Sequence, residues 1–311
     1  LDLFNYLKPQ LDLRETMSKK YDLDLRSKSD AQIAEAVIKK LLHQDYGVYA
    51  KKRELNLPYK FKYVAPDYLK GKLNGLVEEI EALEFVVDEN DLLATPEALK
   101  NKNITIGDTV YRMGIGGLHS SEKKLTLDVD GVIEDRDVGS YYPSLIINNK
   151  YYPEHLGEPF LHVYRTIYHE RIAAKKSGDK VTADVMKIML NGSFGKLGSK
   201  YSIFYSPDML VQVTLTGQLS LLLLISELED AGISVVSANT DGVVLSYNDF
   251  SPDHVVRAWE KLTRLETDIT PYKAIHNRDV NSYINIKKSG GVKTKGAFAL
   301  DGIAKNPHGD I

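Results

Sequence analysis

The sequence of 311 residues contains no cysteine. A disulfide framework and a metal site built from thiolates are therefore excluded, and the composition fits a reducing compartment. No secretory signal opens the chain, and the most apolar stretch, Leu219 to Ile225, is too short to span a bilayer. We therefore expect a cytoplasmic protein without a membrane partner.

A strong excess of either charge is also lacking, since the net charge is -3. Phosphate-bearing ligands favour a basic surface, so this value is a mild argument against nucleic-acid binding. The cations are clustered, however, at residues 51–53 and again between Lys287 and Lys295. Either cluster alone is typical of a solvated surface. The hydrophobic content of 43% is enough for a sizeable core and for more than one lobe.

Helical periodicity is clear in several segments. Ser29 and Gln32 fit a capping box ahead of an apolar pattern that repeats every four residues. Two further helices, at about 160–176 and 181–191, are separated only by a short polar turn, which predicts an antiparallel helical hairpin. Another helix is expected at about 210–230. The first thirty residues have no clean period, and no element is predicted for them.

Three β-hairpins are expected from alternating patterns that flank turn residues. The first would turn at Asp130-Gly131, the second at Asn239 to Gly242, and the third at Gly290-Gly291. Strands and helices are mixed without regular alternation of the two. This order favours an α+β fold, in which an antiparallel sheet is backed by helices.

Two carboxylates occupy informative places in this pattern. Asp137 lies where a strand ends and a helix begins, with Pro143 suited to the first helical turn. Asp241 lies at the tip of the second hairpin. If both hairpins are neighbours in one sheet, the two carboxylates meet at one edge and form a hard-ligand set for Mg²⁺. Taken singly, each Asp is equally well explained as a turn or cap residue.

The helical hairpin carries cations and an amide at intervals of four. Arg171 and Lys175 share one face of the first helix, and Lys187, Asn191 and Gly195 share one face of the second. Positive and amide groups arranged in this way could bind a triphosphate. Spacing alone favours the simpler interpretation, in which the charges solvate an exposed helix face.

Three segments in order extend the interpretation. They are DVGSYYPSLI at 137–146, KIMLNGSFG at 187–195 and ANTDG at 238–242. Together they resemble the palm and fingers motifs of family B DNA polymerases. The segments GIGGLHS and SDAQIAEAV resemble parts of the phage and mobile-element branch, which would place the protein in a host cytoplasm. The resemblance runs from about Ser29 to Gly296.

The resemblance implies a polymerase palm, whose antiparallel sheet is backed by helices, and a two-helix antiparallel fingers hairpin. The expected division is an N-terminal region with a template-side glycine loop (1–120), palm (121–157), fingers (158–195), palm (196–284), and a basic hairpin with a thumb remnant (285–311). The implied activity is DNA-templated DNA polymerisation. Its partners would be primer-template DNA and dNTPs, and its cofactors two Mg²⁺ ions, with Mn²⁺ as a substitute.

The resemblance also assigns roles to residues. Asp137 and Asp241 would bind metal together with the carbonyl of Val138, and Lys187 would give a proton to the leaving pyrophosphate. Tyr142 would lie under the incoming sugar and exclude a ribose 2′-hydroxyl. The nucleotide-binding set would be Val138, Ser140, Tyr141, Tyr142, Arg171, Lys175, Lys187 and Asn191. The DNA-binding set would be Gly116, Gly117, Gly195, Thr240, Tyr283, Lys293 and Lys295.

Several positions depart from the family's motifs. Asn239 stands where the family usually has an Asp, and Gly242 stands where it has a Ser. Gly192, Phe194 and Tyr141 are further replacements, and Asn281-Ser282 replaces the basic pair ahead of Tyr283.

No exonuclease motif is visible, and the segment after Gly296 is shorter than a thumb, so separate exonuclease, thumb or processivity subunits are expected partners. A primase-polymerase or a protein-primed enzyme with the same palm is one alternative. Another is a non-catalytic, polymerase-derived module that binds nucleic acid or acts as a scaffold.

Overall fold

A computed structural model describes residues 2–100, 102–128 and 131–299. The helices are α1 (Asp2–Tyr21), α2 (Asp30–Tyr46), α3 (Asn74–Glu81), α4 (Glu97–Lys100), α5 (Tyr141–Asn148), α6 (Glu158–Ser177), α7 (Lys180–Phe194), α8 (Pro207–Asp230) and α9 (Asp253–Thr263). Short 3-10 turns span Asp67–Leu69 and Gly296–Phe298.

The strands fall into two antiparallel sheets. They are β1 (Tyr59–Phe61), β2 (Phe85–Val87), β3 (Leu93–Ala94), β4 (Asn103–Ile106), β5 (Thr109–Arg112), β6 (His119–Ser120), β7 (Lys123–Leu127), β8 (Val132–Val138), β9 (Ser234–Asn239), β10 (Gly242–Tyr247), β11 (Thr267–Asp279), β12 (Ser282–Lys287) and β13 (Val292–Lys295). The smaller sheet has the order β1-β2-β3, and the larger one runs β13-β12-β11-β8-β10-β9-β6-β5-β4, with β7 paired to β11. The α+β class predicted from the sequence is confirmed.

The chain forms two compact units. The first contains Leu1–Lys60, Val86–Ala94 and Leu145–Val213, and the second contains Phe61–Phe85, Thr95–Ser144 and the described part of Thr214–Ile311. The whole of the larger sheet belongs to the second unit.

The first unit is built on the packing of α2, α6 and α7. The capping box predicted at Ser29 is present, and the apolar residues Ile33 and Val37 of α2 are fully buried. Between α6 and α7 the predicted short turn is also present, with Gly178 in the left-handed region and Asp179 accepting a hydrogen bond from the Thr182 N–H at 3.0 Å. The predicted helical hairpin is therefore confirmed.

Gly192 sets the distance between α7 and α2. A Cβ added at this position would lie 2.9 Å from the Asp30 carbonyl oxygen and 3.2 Å from the Ala31 Cα. These neighbours are backbone atoms, which cannot move aside as a flexible side chain could. The glycine, one of the departures noted in the sequence, is thus required by close helix packing.

The second unit has its apolar centre on the large sheet. Ile133, Val244, Tyr272 and Ile275 form a buried cluster, against which Leu125, Leu127 and Val236 pack. The hairpins predicted around Asn239–Gly242 and Gly290–Gly291 are both present as antiparallel pairs, β9–β10 and β12–β13. Gly290 and Gly291 have φ values of 89° and 80°, which glycine adopts without strain.

One expectation about local structure was wrong. Among the described residues, strand β7 pairs with β11, in the register Ile275↔Leu127, and not with β8, as a hairpin turned at Asp130-Gly131 requires. The alternating pattern identifies a half-buried strand but not its partner, and Asp130 itself lies outside the described residues. Helix α1, for which no element was predicted, leaves Leu3, Phe4 and Tyr6 mostly exposed. A helix that buries so little needs no apolar period, so the sequence gives no signal for it.

Helix α8 is longer than its most apolar stretch suggested. By length and composition it could cross a membrane, but 83% of its most apolar 18-residue window is buried inside the protein. Extensive burial of this kind is typical of a core helix.

We predict that Gly192→Ala destabilises the protein. The added methyl group meets the backbone of α2, and overpacking of this kind costs about 1–3 kcal/mol. Urea unfolding followed by circular dichroism measures the change. Gly75→Ala is the matched control, because nothing lies within 4 Å of its Cβ position in α3, and we expect it to be neutral or stabilising by up to about 1 kcal/mol. Equal effects of the two substitutions would contradict this account.

Candidate functional site

The candidate carboxylates lie at the ends of two strands that pair directly. β8 and β10 are antiparallel neighbours, and their register places Gly242 opposite Asp137. Asp241 immediately precedes Gly242, so the two carboxylates are carried by adjacent chain segments, at the same end of two central strands of the sheet. In addition, the Val138 N–H donates a hydrogen bond to the Asp241 carbonyl oxygen at 2.7 Å. The backbone itself therefore fixes the separation of the two residues.

The turn that carries Asp241 is unusually constrained. Thr240 has a φ of 63°, which is uncommon for a β-branched residue. Its N–H donates to the Leu118 carbonyl oxygen at 2.8 Å, and its side chain fills the space in which a Cβ of Gly117 would lie, 2.5 Å from the Thr240 Oγ1. The Gly116-Gly117 loop between β5 and β6 thus holds this turn in place, with the Gln218 Nε2 donating to the Gly116 carbonyl oxygen at 3.0 Å.

Gly242 leaves room for the carboxylate of Asp137. A Cβ at Gly242 would lie 2.5 Å from the Asp137 Oδ1 and 3.0 Å from the Arg136 carbonyl oxygen. Any larger residue would therefore push the carboxylate or the strand away. The absence of a side chain at this position, which departs from the family's Ser, is a local requirement of this site.

Asn239 uses its amide as a hydrogen-bond donor. Its Nδ2 donates to the Val280 carbonyl oxygen at 2.7 Å, and its Oδ1 accepts from the Thr240 hydroxyl at 3.2 Å. The first bond ties the β9–β10 turn to the turn between β11 and β12. A carboxylate at position 239 could not donate to that carbonyl, so the amide has a structural role that an Asp could not fill.

A lysine bridges two carboxylates on β8. The Lys293 Nζ donates to the Asp135 Oδ2 at 2.8 Å and to the Asp137 Oδ2 at 3.1 Å. The Tyr272 hydroxyl donates to the same oxygen of Asp135 at 3.0 Å. Asp135 and Asp137 are two residues apart on a strand, so their side chains share a face of the sheet.

Burial and interactions between neighbouring charges shift the pKa values of Asp135, Lys293 and Asp241. Burial, with a smaller contribution from the charge of Asp137, raises the pKa of Asp135 to about 6. Burial alone would lower the pKa of Lys293, but the two carboxylates outweigh it and raise that pKa above its usual value. The Asp241 residue is open to solvent, yet desolvation of its carboxyl within the cleft and the charge of Asp137 raise its pKa as well.

These residues line a cleft of about 350 Å³. Its lining includes Asp135, Asp137, Asn239, Thr240, Asp241, Tyr283, Lys293 and Lys295. Asn277 and Asn285 also line it, and the Oδ1 atom of each is buried with no hydrogen-bond partner among the described residues. Acceptors in this state fit a cleft that admits water or a hydrated cation.

The oxygen atoms of the cleft fit a hard divalent cation. Asp137 and Asp241 are carboxylates whose like charges oppose each other, and such a pair favours a cation between them. Within residues 2–100, 102–128 and 131–299, no group of three or more His, Asp or Glu side chains could hold a metal ion alone. The pair would therefore need further oxygen ligands from backbone, water or a bound phosphate.

Comparison with known proteins identifies the fold. No family model matches the sequence, and no curated protein matches it. Among solved structures, the chain is similar to the family B DNA polymerase from the hyperthermophilic archaeon Pyrobaculum calidifontis, with a TM-score of 0.56 and 14% identity. The match covers 94% of this chain and 36% of the archaeal protein.

The fold is polymerase-like. At this level of identity the similarity extends to the fold alone, and the chain spans about a third of the archaeal polymerase it matches.

Tyr142 lies close enough to Asp241 for the charge of that carboxylate to act on it. Burial, followed by the negative charge of Asp241, raises the pKa of Tyr142 to about 12. Tyr141, its neighbour on α5, is buried, and its hydroxyl donates to the Gly217 carbonyl oxygen. Ser140, with a φ of 53°, makes the sharp change of direction between β8 and α5. Tyr283 and Lys295 are paired across β12 and β13.

The remaining candidates belong to the first unit. Arg171 and Lys175 lie on α6, and Lys187 and Asn191 lie one turn apart on α7, which ends at Gly195. Lys187 and Asn191 are exposed and line a second cavity of about 350 Å³ together with residues of α1, including Gln10 and Leu13. Burial lowers the pKa of the Arg171 guanidinium.

Four polar residues in or beside the cleft were not predicted from the sequence. Asp135, Tyr272, Asn277 and Asn285 were not singled out, and Lys293 was expected at the DNA backbone rather than at two carboxylates. One signal was available, since the Asp-Arg-Asp spacing of residues 135–137 places both carboxylates on one face of a strand. The polar residues of β11 and β12 gave no comparable pattern.

We predict that Gly242→Ala disturbs Asp137. The new methyl group would overlap the Asp137 Oδ1, so the carboxylate must rotate or the strands must separate, at a cost of about 1–3 kcal/mol. Urea unfolding measures the stability, and a crystal structure of the variant shows the carboxylate. Gly114→Ala, with no atom within 4 Å of its Cβ position, is the control. An unmoved Asp137 in a variant of unchanged stability would show that the close approach is unimportant.

Proposed function

We propose that this protein is a DNA-templated DNA polymerase, which adds dNTPs to the 3′-hydroxyl of a primer by two-metal-ion nucleotidyl transfer. The observation that carries the proposal is the direct pairing of β8 with β10, in which Asp137 is opposite Gly242, the residue that follows Asp241. The polymerase-like fold and the three ordered sequence motifs support it independently.

The chain's own residues define the proposed roles. Asp137, Asp241 and the carbonyl of Val138 would hold two Mg²⁺ ions, for which Mn²⁺ can substitute. When bound, such ions activate the attacking hydroxyl and neutralise charge on the leaving phosphate. Tyr142 would support the sugar of the incoming nucleotide. Catalysis would otherwise rest on positioning and charge neutralisation rather than on a covalent intermediate.

Other roles follow from the resemblance and complete the proposal. Arg171, Lys175, Lys187 and Asn191 would bind the triphosphate, with the backbone of Ser140 and Tyr141 assisting. The Gly116-Gly117 loop, Thr240, Gly195, Tyr283 and Lys295 would contact primer-template DNA. Lys187 would also act as the proton donor to pyrophosphate.

One observation favours the alternative of a non-catalytic module. The Lys293 ammonium contacts an oxygen of Asp137, as an ammonium would in a site that does not bind a cation. A degenerate module of this kind would bind primed DNA without extending it. The retention of Asp241, Tyr142 and the cations of α6 and α7 argues for the enzyme.

We predict that Asp137→Asn and Asp241→Asn each reduce Mg²⁺-dependent primer extension by at least about 100-fold, because each removes a charge that would hold a cation at the reacting phosphate. The measurement is incorporation of a labelled dNTP on a primed template. Asp249→Asn, an exposed carboxylate outside the cleft, is the matched control. A wild-type protein that binds primed DNA but incorporates nothing would favour the non-catalytic module, and extension by both variants would exclude the assigned carboxylates.

We also predict that Tyr142→Ala relaxes sugar discrimination. If the ring excludes the ribose 2′-hydroxyl, its removal should lower the ratio of kcat/KM for dNTP over rNTP by about tenfold or more. Steady-state single-nucleotide incorporation gives this ratio. Tyr201→Ala, at a tyrosine that is 82% exposed, should leave it unchanged. The same ratio in Tyr142→Ala and wild type would assign the exclusion to another residue.

A further inference from the structure

The Asp135–Lys293–Asp137 bridge is a built feature rather than a loose surface contact. The Asp135 side chain is only 7% exposed and that of Lys293 33% exposed, and both bonds of the ammonium are within 3.1 Å. Surface ion pairs are commonly worth little, but a pair anchored on a buried carboxylate is held in one geometry.

The surrounding strands explain why Lys293 reaches these carboxylates. Lys293 is opposite Asn285 in the β12–β13 register, and Tyr272 on β11 donates to the oxygen of Asp135 that also accepts from Lys293. Hydrogen bonds from Lys293 on β13 and Tyr272 on β11 therefore meet at Asp135 on β8. Asp135 accepts two hydrogen bonds at one oxygen, which fixes the position of the ammonium.

The two carboxylate oxygens of Asp137 have different neighbours. Lys293 contacts the Oδ2 at 3.1 Å, whereas the Oδ1 is the oxygen that faces Gly242. Asp137 and Asp241 line the same cleft, and the charge of Asp137 acts on the Asp241 carboxyl. The ammonium thus fixes the rotation of the carboxylate about its last bond.

We propose that Lys293 is a positioning residue that orients Asp137 toward Asp241 and at the same time limits how tightly the two carboxylates bind a divalent cation. The inference rests on the proposed function only for its effect on turnover. The Lys293 ammonium lowers the affinity of the nearby site for a cation by electrostatic repulsion. Its removal also frees the Asp137 side chain, but the entropic cost of fixing that side chain on cation binding is smaller than the repulsion that is removed. Removal of the ammonium should therefore tighten cation binding and slow the reaction.

The test measures Mn²⁺ binding and primer extension separately. Lys293→Met should lower the Kd for Mn²⁺, read by electron paramagnetic resonance of the free ion, by about fivefold or more. It should also lower kcat for extension by about tenfold or more, because Asp137 is no longer held. Lys293→Arg keeps the charge and should remain within about threefold of wild type in Mn²⁺ affinity.

Two further variants distinguish the effect of the Lys293–Asp137 contact from the effect of removing any positive charge from the cleft. Lys295→Met removes an ammonium that lines the same cleft but does not contact Asp137, and it should change Mn²⁺ affinity less than Lys293→Met does. Asp135→Asn removes the anchor and one negative charge, so it should weaken Mn²⁺ binding, opposite in sign to Lys293→Met. This variant also decides the matter if Lys293→Met fails to fold.

Equal effects of Lys293→Met and Lys295→Met on Mn²⁺ affinity would overturn the proposal, as would weaker binding in Lys293→Met or tighter binding in Asp135→Asn. Failure of the polymerase assignment is distinguishable, because the wild-type protein would then extend no primer while the Mn²⁺ affinities still respond as described.

Discussion

The pairing of β8 with β10 is the constraint on which the rest of the candidate site depends. Its register brings Asp137 opposite Gly242, and the bond from the Val138 N–H to the Asp241 carbonyl oxygen closes the end of the ladder. A slip by one residue would turn every side chain of one strand to the other face. Because the neighbouring positions Ile133 and Val244 are buried in the sheet's apolar cluster, such a slip is strongly opposed. The core thus fixes the geometry of the charged residues.

Several departures from the family's motifs become intelligible once this geometry is known. Position 242 requires a glycine because the Asp137 carboxylate occupies the space that a side chain would fill. Position 117 requires one because the Thr240 side chain occupies the corresponding space there. Asn239 donates to the Val280 carbonyl oxygen, a bond that a carboxylate could not form. An Asp at position 239 would also add a third negative charge beside Asp241 and Asp137. The neutral amide therefore connects two turns without increasing the repulsion at the site.

The sequence was informative wherever local chemistry decides the structure. The capping box at Ser29, the turn between α6 and α7, and the glycines at 290–291 each determine their own backbone, and each was predicted correctly. The partner of β7 was not predictable, because this strand carries the same alternating pattern whether it pairs with β8 or with β11. Helix α1 was missed because most of its apolar residues stay exposed.

The same distinction applies to the candidate site. Its carboxylates were found through motifs, but the contact of Lys293 with Asp135 and Asp137 joins residues more than 150 positions apart in the chain. No local pattern encodes such a contact, and only the order β13-β12-β11-β8 in the sheet produces it.

The charge balance of the cleft makes a net charge of -3 compatible with the proposed phosphate-bearing substrate. Asp135, Asp137 and Asp241 face Lys293 and Lys295, so the cleft stays negative when all three carboxylates are ionised. A negative cleft repels phosphate unless a cation lies between them. The arrangement therefore favours a ligand that arrives together with a divalent ion, as a nucleoside triphosphate does, over a bare nucleic-acid backbone. For the same reason, the net charge of the chain is a poor guide to its partners.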